Sequence, residues 1–366
     1  MRMCSLVAVL CFCFSSILPA ADLDFIRVSA DGKSFVTSKD QKPYVPWGFN
    51  YDHNGEGQLL EDYWQTDWKQ VEQDFAEMKQ LGANVVRIHI QFGKFMSAPD
   101  QPREQALQKL GELLQLAERT GIYLDLTGLG CYHKQDVPAW YDQLTDQERW
   151  QAQAVFWEAV AKQCAKSPAI FCYDLMNEPV VHAGKKQGTD WLGPGLGGKH
   201  FVQRITLSPD ERSRPEIAAA WVETLVEAIR KQDQRHLVTV GLVPWSLDRP
   251  GMQSGFVPDK VSQHLDFICV HLYPETGKVD EAMETLKAFD IGKPLVIEET
   301  FPLKSSPQEF EEFLLKSRKY ADGWIGFYWG KTPAEYKQEK TIAAALMTGW
   351  LEFFIKNGPK FKGETE

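Results

Sequence analysis

The chain has 366 residues, of which 43% are hydrophobic and 12% aromatic, so it is long and apolar enough to bury a large core. Its formal net charge of −10 and its pI near 5.4 exclude nucleic acid as an expected partner, because phosphate binding depends on clustered lysine and arginine. These properties are typical of a globular, enzyme-sized protein with a neutral or weakly charged ligand.

The first 21 residues have the order of a secretory signal peptide. A basic start, Met1-Arg2-Met3, precedes the apolar run CSLVAVLCFCFSSIL, and small residues follow before the first acids. We predict that residues 1–21 are a signal peptide, that the protein is secreted or periplasmic, and that residues 22–366 form one folded domain, expected to be a monomer. The alternative is an uncleaved signal anchor, which is the one membrane association the sequence suggests.

Four cysteines remain after the signal peptide: Cys131, Cys164, Cys172 and Cys269. They are scattered and lack paired short spacings, which argues against a zinc site and against a dense disulfide framework. One disulfide is left open by the sequence.

From Tyr44 onward, short β-branched or aromatic runs alternate with longer runs that have apolar residues at helical spacing. The predicted strands are YVPWGFN, NVVRIHI, IYLDLT, IFCYDLMN, HLVTVGL, DFICVHLY, PLVIEE and WIGFYW. The predicted helices are DWKQVEQDFAEMKQLG, EQALQKLGELLQLAERTG, QERWQAQAVFWEAVAKQCA, PEIAAAWVETLVEAIRKQD, a short piece near VPDKVSQHL, VDEAMETLKAF, PQEFEEFLLKSRKYA and IAAALMTGWLEFFIKNG. Eight strands that are each followed by a helix predict an α/β fold, a (β/α)8 TIM barrel with loop insertions. A doubly wound sheet is disfavoured, because no GxGxxG follows the first strand.

Polar residues collect at the predicted carboxyl ends of these strands, where a barrel builds its active site. They are Asn50, Arg87, His89, Asn177, Glu178, His271, Tyr273, Glu298, Glu299 and Trp329. Two separate strands end in glutamate. A pair of carboxylates across a cleft is what glycoside hydrolysis needs, one to protonate the leaving oxygen and one to attack carbon or activate water. Because neighbouring strand residues face opposite sides, we expect only one of Glu298 and Glu299 to face the barrel mouth.

The run DLMNEP, together with Arg87 in NVVRI, HLY at 271–273 and KPLVIEE, resembles glycoside hydrolase family 5, the cellulase and mannanase family of retaining (β/α)8 enzymes. The resemblance implies that Glu178 is the general acid/base and Glu299 the nucleophile. It further implies that Arg87 and Tyr273 hold the nucleophile, and that Asn177 bonds the sugar 2-hydroxyl. His271 would line the catalytic subsite, and Trp329 would form its stacking floor.

Two positions depart from the family pattern. The Asp-x-His that often ends the third strand is Asp125-Leu126-Thr127 here, and we expect either that His133 takes over the task of that histidine or that the catalytic subsite is shaped differently. The nucleophile is followed by Thr300-Phe301-Pro302 instead of an aromatic residue and glycine. Both departures concern the choice of sugar.

The leading hypothesis is a retaining β-glycoside hydrolase that acts on a β-linked polysaccharide or oligosaccharide of the mannan or glucan type, without a cofactor or a metal. Aromatic residues in predicted loops, such as those at 63–64, 140–141, 191 and 245, are candidates for stacking on sugar rings. The alternatives are a catalytically silent carbohydrate-binding barrel, a transglycosylase on the same site, and a metal-dependent enzyme using His89, His133 and His271. No HxH or HExxH pair supports the last of these.

Overall fold

A computed structural model describes residues 23–182, 184–247 and 253–364, and the predicted signal peptide lies outside these ranges. Eight parallel strands close into a barrel in chain order, with the last strand paired to the first. They are β1 (Trp47–Tyr51), β2 (Val85–Gln91), β3 (Tyr123–Gly130), β4 (Ile170–Asn177), β5 (Leu237–Leu242), β6 (Ile268–His271), β7 (Leu295–Thr300) and β8 (Gly323–Gly326). The predicted (β/α)8 barrel is confirmed.

Helices follow the strands and cover the barrel from outside. They are α1 (Trp68–Gln80), α2 (Glu104–Thr120), α3 (Asp146–Cys164), α4 (Arg214–Arg230), the short α5 (Pro258–Val261), α6 (Val279–Phe289), α7 (Pro307–Ser317) and α8 (Ile342–Phe361). Single-turn helices at Leu60–Tyr63, Phe92–Phe95 and Pro333–Tyr336 lie in the connections.

Local sequence explains where several of these helices begin and end. Thr145 accepts a hydrogen bond from the backbone N–H of Glu148 at the start of α3, and Ser213 and Ser306 do the same for α4 and α7. Gly121 ends α2 in the left-handed conformation, which glycine adopts without steric cost.

A small antiparallel sheet closes the end of the barrel where the strands begin. It comprises Ile26–Val28, Phe35–Thr37 and Pro43–Tyr44, and the sequence patterns had not predicted it. Phe35 packs against Phe171 and Phe267, each with ring centroids 5.1 Å apart, in an apolar cluster with the first residues of the barrel strands. Because this end is filled by side chains, the interior of the barrel is reached from the carboxyl end.

All four cysteines in the described ranges are buried free thiols, so the disulfide that the sequence left open does not form among them. Among the described residues, no helix combines the length and the apolar character that a membrane crossing requires.

Candidate active site

A cavity of about 420 Å³ opens at the carboxyl end of the barrel. Its lining comes from the ends of β2, β4 and β7 and from the segments that follow β4 to β8. The lining residues are His89, Asn177, Glu178, Pro194, Leu196, Phe201, Val202, Trp245, Tyr273, Glu299, Phe301, Leu303, Phe327 and Tyr328. Both glutamates proposed from the sequence as acid/base and nucleophile therefore face one cavity.

Glu178 sits at the first position after β4. Its backbone has a φ of +49°, a left-handed conformation that costs about 1–2 kcal/mol for a residue with a Cβ. Its backbone N–H donates to the carbonyl of Gly241 at 3.1 Å, and Pro179 prevents the strand from continuing regularly. The side chain is 17% exposed and extends into the cavity.

Glu299 is held by two donors from other strands. Arg87 Nη1 donates to Glu299 Oε1 at 2.6 Å, and the Tyr273 hydroxyl donates to Oε2 at 2.7 Å. Burial, and then the charge of Glu299, raise the pKa of Tyr273 well above its usual value, so this phenol remains a donor at neutral pH. Both carboxylate oxygens of Glu299 are thus fixed in position.

His271 lies between the two cavity glutamates. Its Nδ1 is 3.1 Å from Glu178 Oε1 and 3.5 Å from Glu299 Oε1, and one oxygen of each glutamate lies within 4.8 Å of the other. Burial alone would lower the pKa of His271, but Glu299, Glu178 and Glu298 outweigh it and raise this pKa to about 10. His271 is therefore an imidazolium at neutral pH.

Glu298 also points into the barrel, so strict alternation does not hold here, although only Glu299 of the two lines the cavity. Its Oε2 is 3.2 Å from His271 Nε2 and 3.6 Å from Arg87 Nη2, and its side chain is fully buried. The pairing of β7 shifts register against both of its neighbours at this point, and such an irregularity turns consecutive side chains to the same side. Glu299 differs from Glu298 because its side chain reaches the cavity, not because the two side chains point to opposite faces of the strand.

Three buried carboxyl groups, Asp125, Asp174 and Glu298, form a cluster below the cavity with one oxygen of each within 4.8 Å of the others. Arg87 Nη2 donates to Asp174 Oδ2 at 2.7 Å. Burial, and then Glu298, raise the pKa of Asp125 well above its usual value. Burial would also raise the pKa of Glu298, but Arg87 and His271 bring it below its usual value. These opposite shifts favour a proton on Asp125 and a charge on Glu298.

Gly241 on β5 makes room for this arrangement. A Cβ atom built at Gly241 would lie 2.9 Å from His271 Nε2 and 3.1 Å from Glu298 Oε2. Any side chain there would displace the ion pair between His271 and Glu298.

The amide of Asn177 is engaged with the protein on both sides. Its Oδ1 accepts from Arg87 Nη2 at 3.0 Å, and its Nδ2 donates to the carbonyl of Phe201 at 3.0 Å. It lines the cavity, so the predicted contact with a sugar 2-hydroxyl stays a prediction.

Four predicted site residues are not part of the cavity lining: Arg87, His271, Trp329 and His133. Arg87 and His271 contact the cavity glutamates from within the barrel, whereas the other two pack elsewhere. Trp329 is 1% exposed and packs on Phe49 with ring centroids 5.6 Å apart, so it offers no face for stacking. His133 Nδ1 is 3.6 Å from Asp136 Oδ2, and His133 is not among the residues of the cavity. Strand β8 ends at Gly326, and the two residues that follow it, Phe327 and Tyr328, line the cavity.

His89 takes the place beside the cavity that was expected for His133. Its Nε2 is 3.0 Å from Asn50 Oδ1, and its Nδ1 is hydrogen-bonded to the Tyr132 hydroxyl. Burial and the charge of Arg87 lower the pKa of His89 well below its usual value, so the ring is neutral. In the sequence, this role of His89 was indicated by its position on the second strand, two residues after Arg87.

Other residues of the site carried weaker signals in the sequence. Asn50 donates to the backbone carbonyl of Glu298 at 2.9 Å and accepts from Arg87 at 2.9 Å. These residues are far apart in the sequence, so the contacts become visible only once the barrel is closed. Of the aromatic residues proposed for stacking, Trp245 lines the cavity, whereas Tyr63, Trp64 and Trp191 are buried.

Two triads of side chains have donor atoms close enough to share a cation: Glu178 with His271 and Glu299, and Asp125 with Asp174 and Glu298. Arg87 contacts a carboxylate of each triad and supplies positive charge to both. The negative charge of these carboxylates is therefore balanced by positively charged residues of the chain itself.

A (β/α)8 barrel with two carboxylates facing one cavity is the arrangement of a glycoside hydrolase. The sequence pattern of the Cellulase family, glycosyl hydrolase family 5, matches residues 41–333. The chain belongs to this family and is a glycoside hydrolase.

Solved structures share the fold. The exo-β-1,4-mannosidase Op5Man5 from Opitutaceae bacterium strain TAV5 has a TM-score of 0.67 at 14% identity, covering 92% of this chain and 62% of that one. The β-mannanase from the blue mussel Mytilus edulis has a TM-score of 0.59 at 15% identity, covering 90% and 96%. A GH5_18 variant from Streptomyces cattleya in complex with Manβ1-4GlcNAc has a TM-score of 0.58 at 16% identity, covering 79% and 71%. By sequence, no curated protein matches the chain.

Proposed function

We propose that the protein hydrolyses β-glycosidic bonds by double displacement, with Glu299 as nucleophile and Glu178 as general acid/base. The observation that carries the proposal is the approach of the two carboxylates within 4.8 Å across one cavity. Retaining enzymes hold their carboxyl groups about 5–5.5 Å apart, whereas inverting enzymes need about 6.5–9.5 Å for a water molecule. The separation supports retention of anomeric configuration.

In the first step, a Glu299 oxygen attacks the anomeric carbon while Glu178 gives its proton to the departing oxygen. The carbon–oxygen bond to the leaving group breaks, and a covalent glycosyl-enzyme forms. Arg87 and Tyr273 each donate a hydrogen bond to Glu299 and orient it for this attack. In the second step, Glu178 takes a proton from water while the water oxygen attacks the anomeric carbon. The bond between that carbon and Glu299 breaks, and the sugar leaves with a hydroxyl group on its anomeric carbon.

We propose a neutral sugar in the catalytic subsite. The described residues that line the cavity include neither lysine nor arginine, so a sugar carboxylate would meet Glu178 and Glu299 without a countercharge in contact with it. β-Mannosides and β-glucosides are the first candidates, and the mannosidase and mannanase among the similar structures favour the former. The signal-like first 21 residues support a secreted or periplasmic location.

The experiment compares Glu178→Gln and Glu299→Gln with the wild type on aryl β-mannosides, aryl β-glucosides, mannans and glucans. We expect each variant to lose at least about 10³-fold in kcat/KM on the preferred substrate, because each removes a group that acts on reacting atoms. Proton NMR of the first product should give the β-anomer. Glu223→Gln, an exposed glutamate on α4, is the matched control and should stay fully active.

Near-normal hydrolysis by either variant would exclude the assigned roles, and a first product with the α-configuration would exclude double displacement. Binding of these glycans without hydrolysis would favour the carbohydrate-binding alternative.

A further inference from the structure

Exposed apolar side chains gather at the mouth of the cavity. Five large apolar side chains are exposed among the described residues, and three of them line this cavity. They are Leu196 at 73%, Leu303 at 64% and Trp245 at 38% exposure. Scattered exposed apolar residues are ordinary, but a contiguous group of them marks a place where an apolar ligand binds.

The rest of the outer lining is also apolar. Pro194, Phe201, Val202 and Phe301 complete it. Most polar lining side chains lie around the carboxylate pair and have protein partners already, as with His89 on Asn50 and Tyr273 on Glu299. A sugar bound in the outer cavity would leave its hydroxyl groups with few side-chain partners, and burying such groups unpaired is unfavourable.

The apolar lining lies beside the proposed acid. Glu178 directly follows β4, and the loops that follow β4 and its neighbour β5 supply Pro194, Leu196 and Trp245. Glu178 must give its proton to the oxygen of the leaving group, so the leaving group occupies the side of the cavity next to these loops.

We propose that the outer cavity binds an apolar aglycone, and that the enzyme hydrolyses β-glycosides of long-chain alcohols in preference to those of short alcohols or of a second sugar. The inference rests on the function proposed above and specifies its leaving group. The glycosidic carbon–oxygen bond breaks, the alcohol leaves with the proton of Glu178, and water then releases the free sugar.

The test measures kcat/KM for methyl, butyl, hexyl and octyl β-mannosides and β-glucosides, below their critical micelle concentrations, and for the corresponding disaccharides. Burying one methylene group strengthens binding about fourfold when it leaves water completely. We expect kcat/KM to rise at least tenfold from the methyl to the octyl glycoside, and the octyl glycoside to exceed the disaccharide.

The double variant Leu196→Asn/Leu303→Asn tests whether these side chains cause the preference. Both residues are exposed in loops, so the substitutions do not open the core. We expect the octyl-to-methyl ratio of kcat/KM to fall at least threefold. Ile342→Asn, an exposed apolar residue at the start of α8 and outside the cavity, is the matched control and should keep the wild-type ratio.

Hydrolysis with no dependence on chain length, or an unchanged ratio in the double variant, would overturn this inference and leave the proposed function standing. If no glycoside is hydrolysed, the proposed function is wrong. Isothermal titration of octyl and methyl glycosides then decides the inference separately, since equal affinities contradict it.

Discussion

Arg87 separates two sets of carboxyl groups at the carboxyl end of the barrel. Above it, Glu178 and Glu299 face the cavity. Below it, Asp125, Asp174 and Glu298 are fully buried. The upper pair can exchange protons with water and substrate, whereas the lower set is confined to the protein interior.

The two sets are balanced in different ways. The lower set has three carboxyl groups against one arginine and the imidazolium of His271, and it reduces its charge by keeping Asp125 protonated. In the upper pair, Glu299 is anchored by two donors while Glu178 keeps one oxygen near His271. The same residue type therefore serves chemistry or structure according to its access to the cavity and to positive charge.

The largest effect is expected when the shared countercharge is removed. Arg87→Met leaves the buried carboxylates of Asp174 and Glu298 without their arginine, and breaking a buried ion pair on one side costs about 3–5 kcal/mol. Urea denaturation should show that loss in the free energy of unfolding.

Arg119→Met is the control for this prediction, because Arg119 pairs with Glu72 at 3.7 Å where both side chains are about half exposed. Exposed pairs contribute about 0–1 kcal/mol. Equal destabilisation by the two variants would mean that the lower set does not depend on Arg87.

The second prediction separates two neighbouring carboxyl groups of the lower set, Asp125 and Glu298. Asp125→Asn replaces a neutral donor with another neutral donor, so we expect the free energy of unfolding at pH 7 to change by less than about 1 kcal/mol. Glu298→Gln removes a buried charge that Arg87 and His271 stabilise, and should cost about 2–3 kcal/mol. Urea denaturation of both variants gives the comparison.

A larger loss for Asp125→Asn than for Glu298→Gln would place the proton on Glu298 instead. Asp125→Leu, which has no polar group to place beside Glu298, should be less stable than Asp125→Asn, and this outcome separates the polar character of the side chain from simple filling of space.

The barrel could be predicted from the sequence because its signals are local. Strand β4 has the predicted bounds of IFCYDLMN, and α6 those of VDEAMETLKAF. Apolar runs of strand length and apolar residues at helical spacing arise from burial within a single element. The sheet at Ile26–Val28, Phe35–Thr37 and Pro43–Tyr44 was missed because strands of two or three residues carry little periodicity.

The site was only partly predictable, because it depends on where regular strands end. Alternation failed at Glu298 and Glu299, where a register shift against the neighbouring strands turns both side chains inward. Trp329 was assigned to the cavity on the assumption that β8 continues, but the strand ends at Gly326 and Phe327 reaches the cavity. Contacts across strands, such as Asn50 with Glu298, have no local signal at all.

The last prediction concerns the imidazolium between the two sets, and its effect is a slope with pH. The pKa of His271 is about 10 in the folded protein and 6.5 for an ordinary histidine, so between these pH values the folded state holds a proton that the unfolded state has released. Its stabilising contribution is complete below pH 6.5 and is lost as the pH rises through 10. Within that window it makes the free energy of unfolding fall by up to about 1.4 kcal/mol per pH unit.

Urea denaturation at pH 6, 7, 8 and 9 of the wild type and of His271→Gln checks this slope. The groups that face His271 are Glu178, Glu298, Glu299, Arg87 and His89, and all of them remain in the variant. The difference in slope between the two proteins therefore isolates the proton on His271, and His264→Gln, outside the site, should keep the wild-type slope. Parallel curves for the wild type and His271→Gln would mean that the carboxylates above and below the ring do not hold a proton on it.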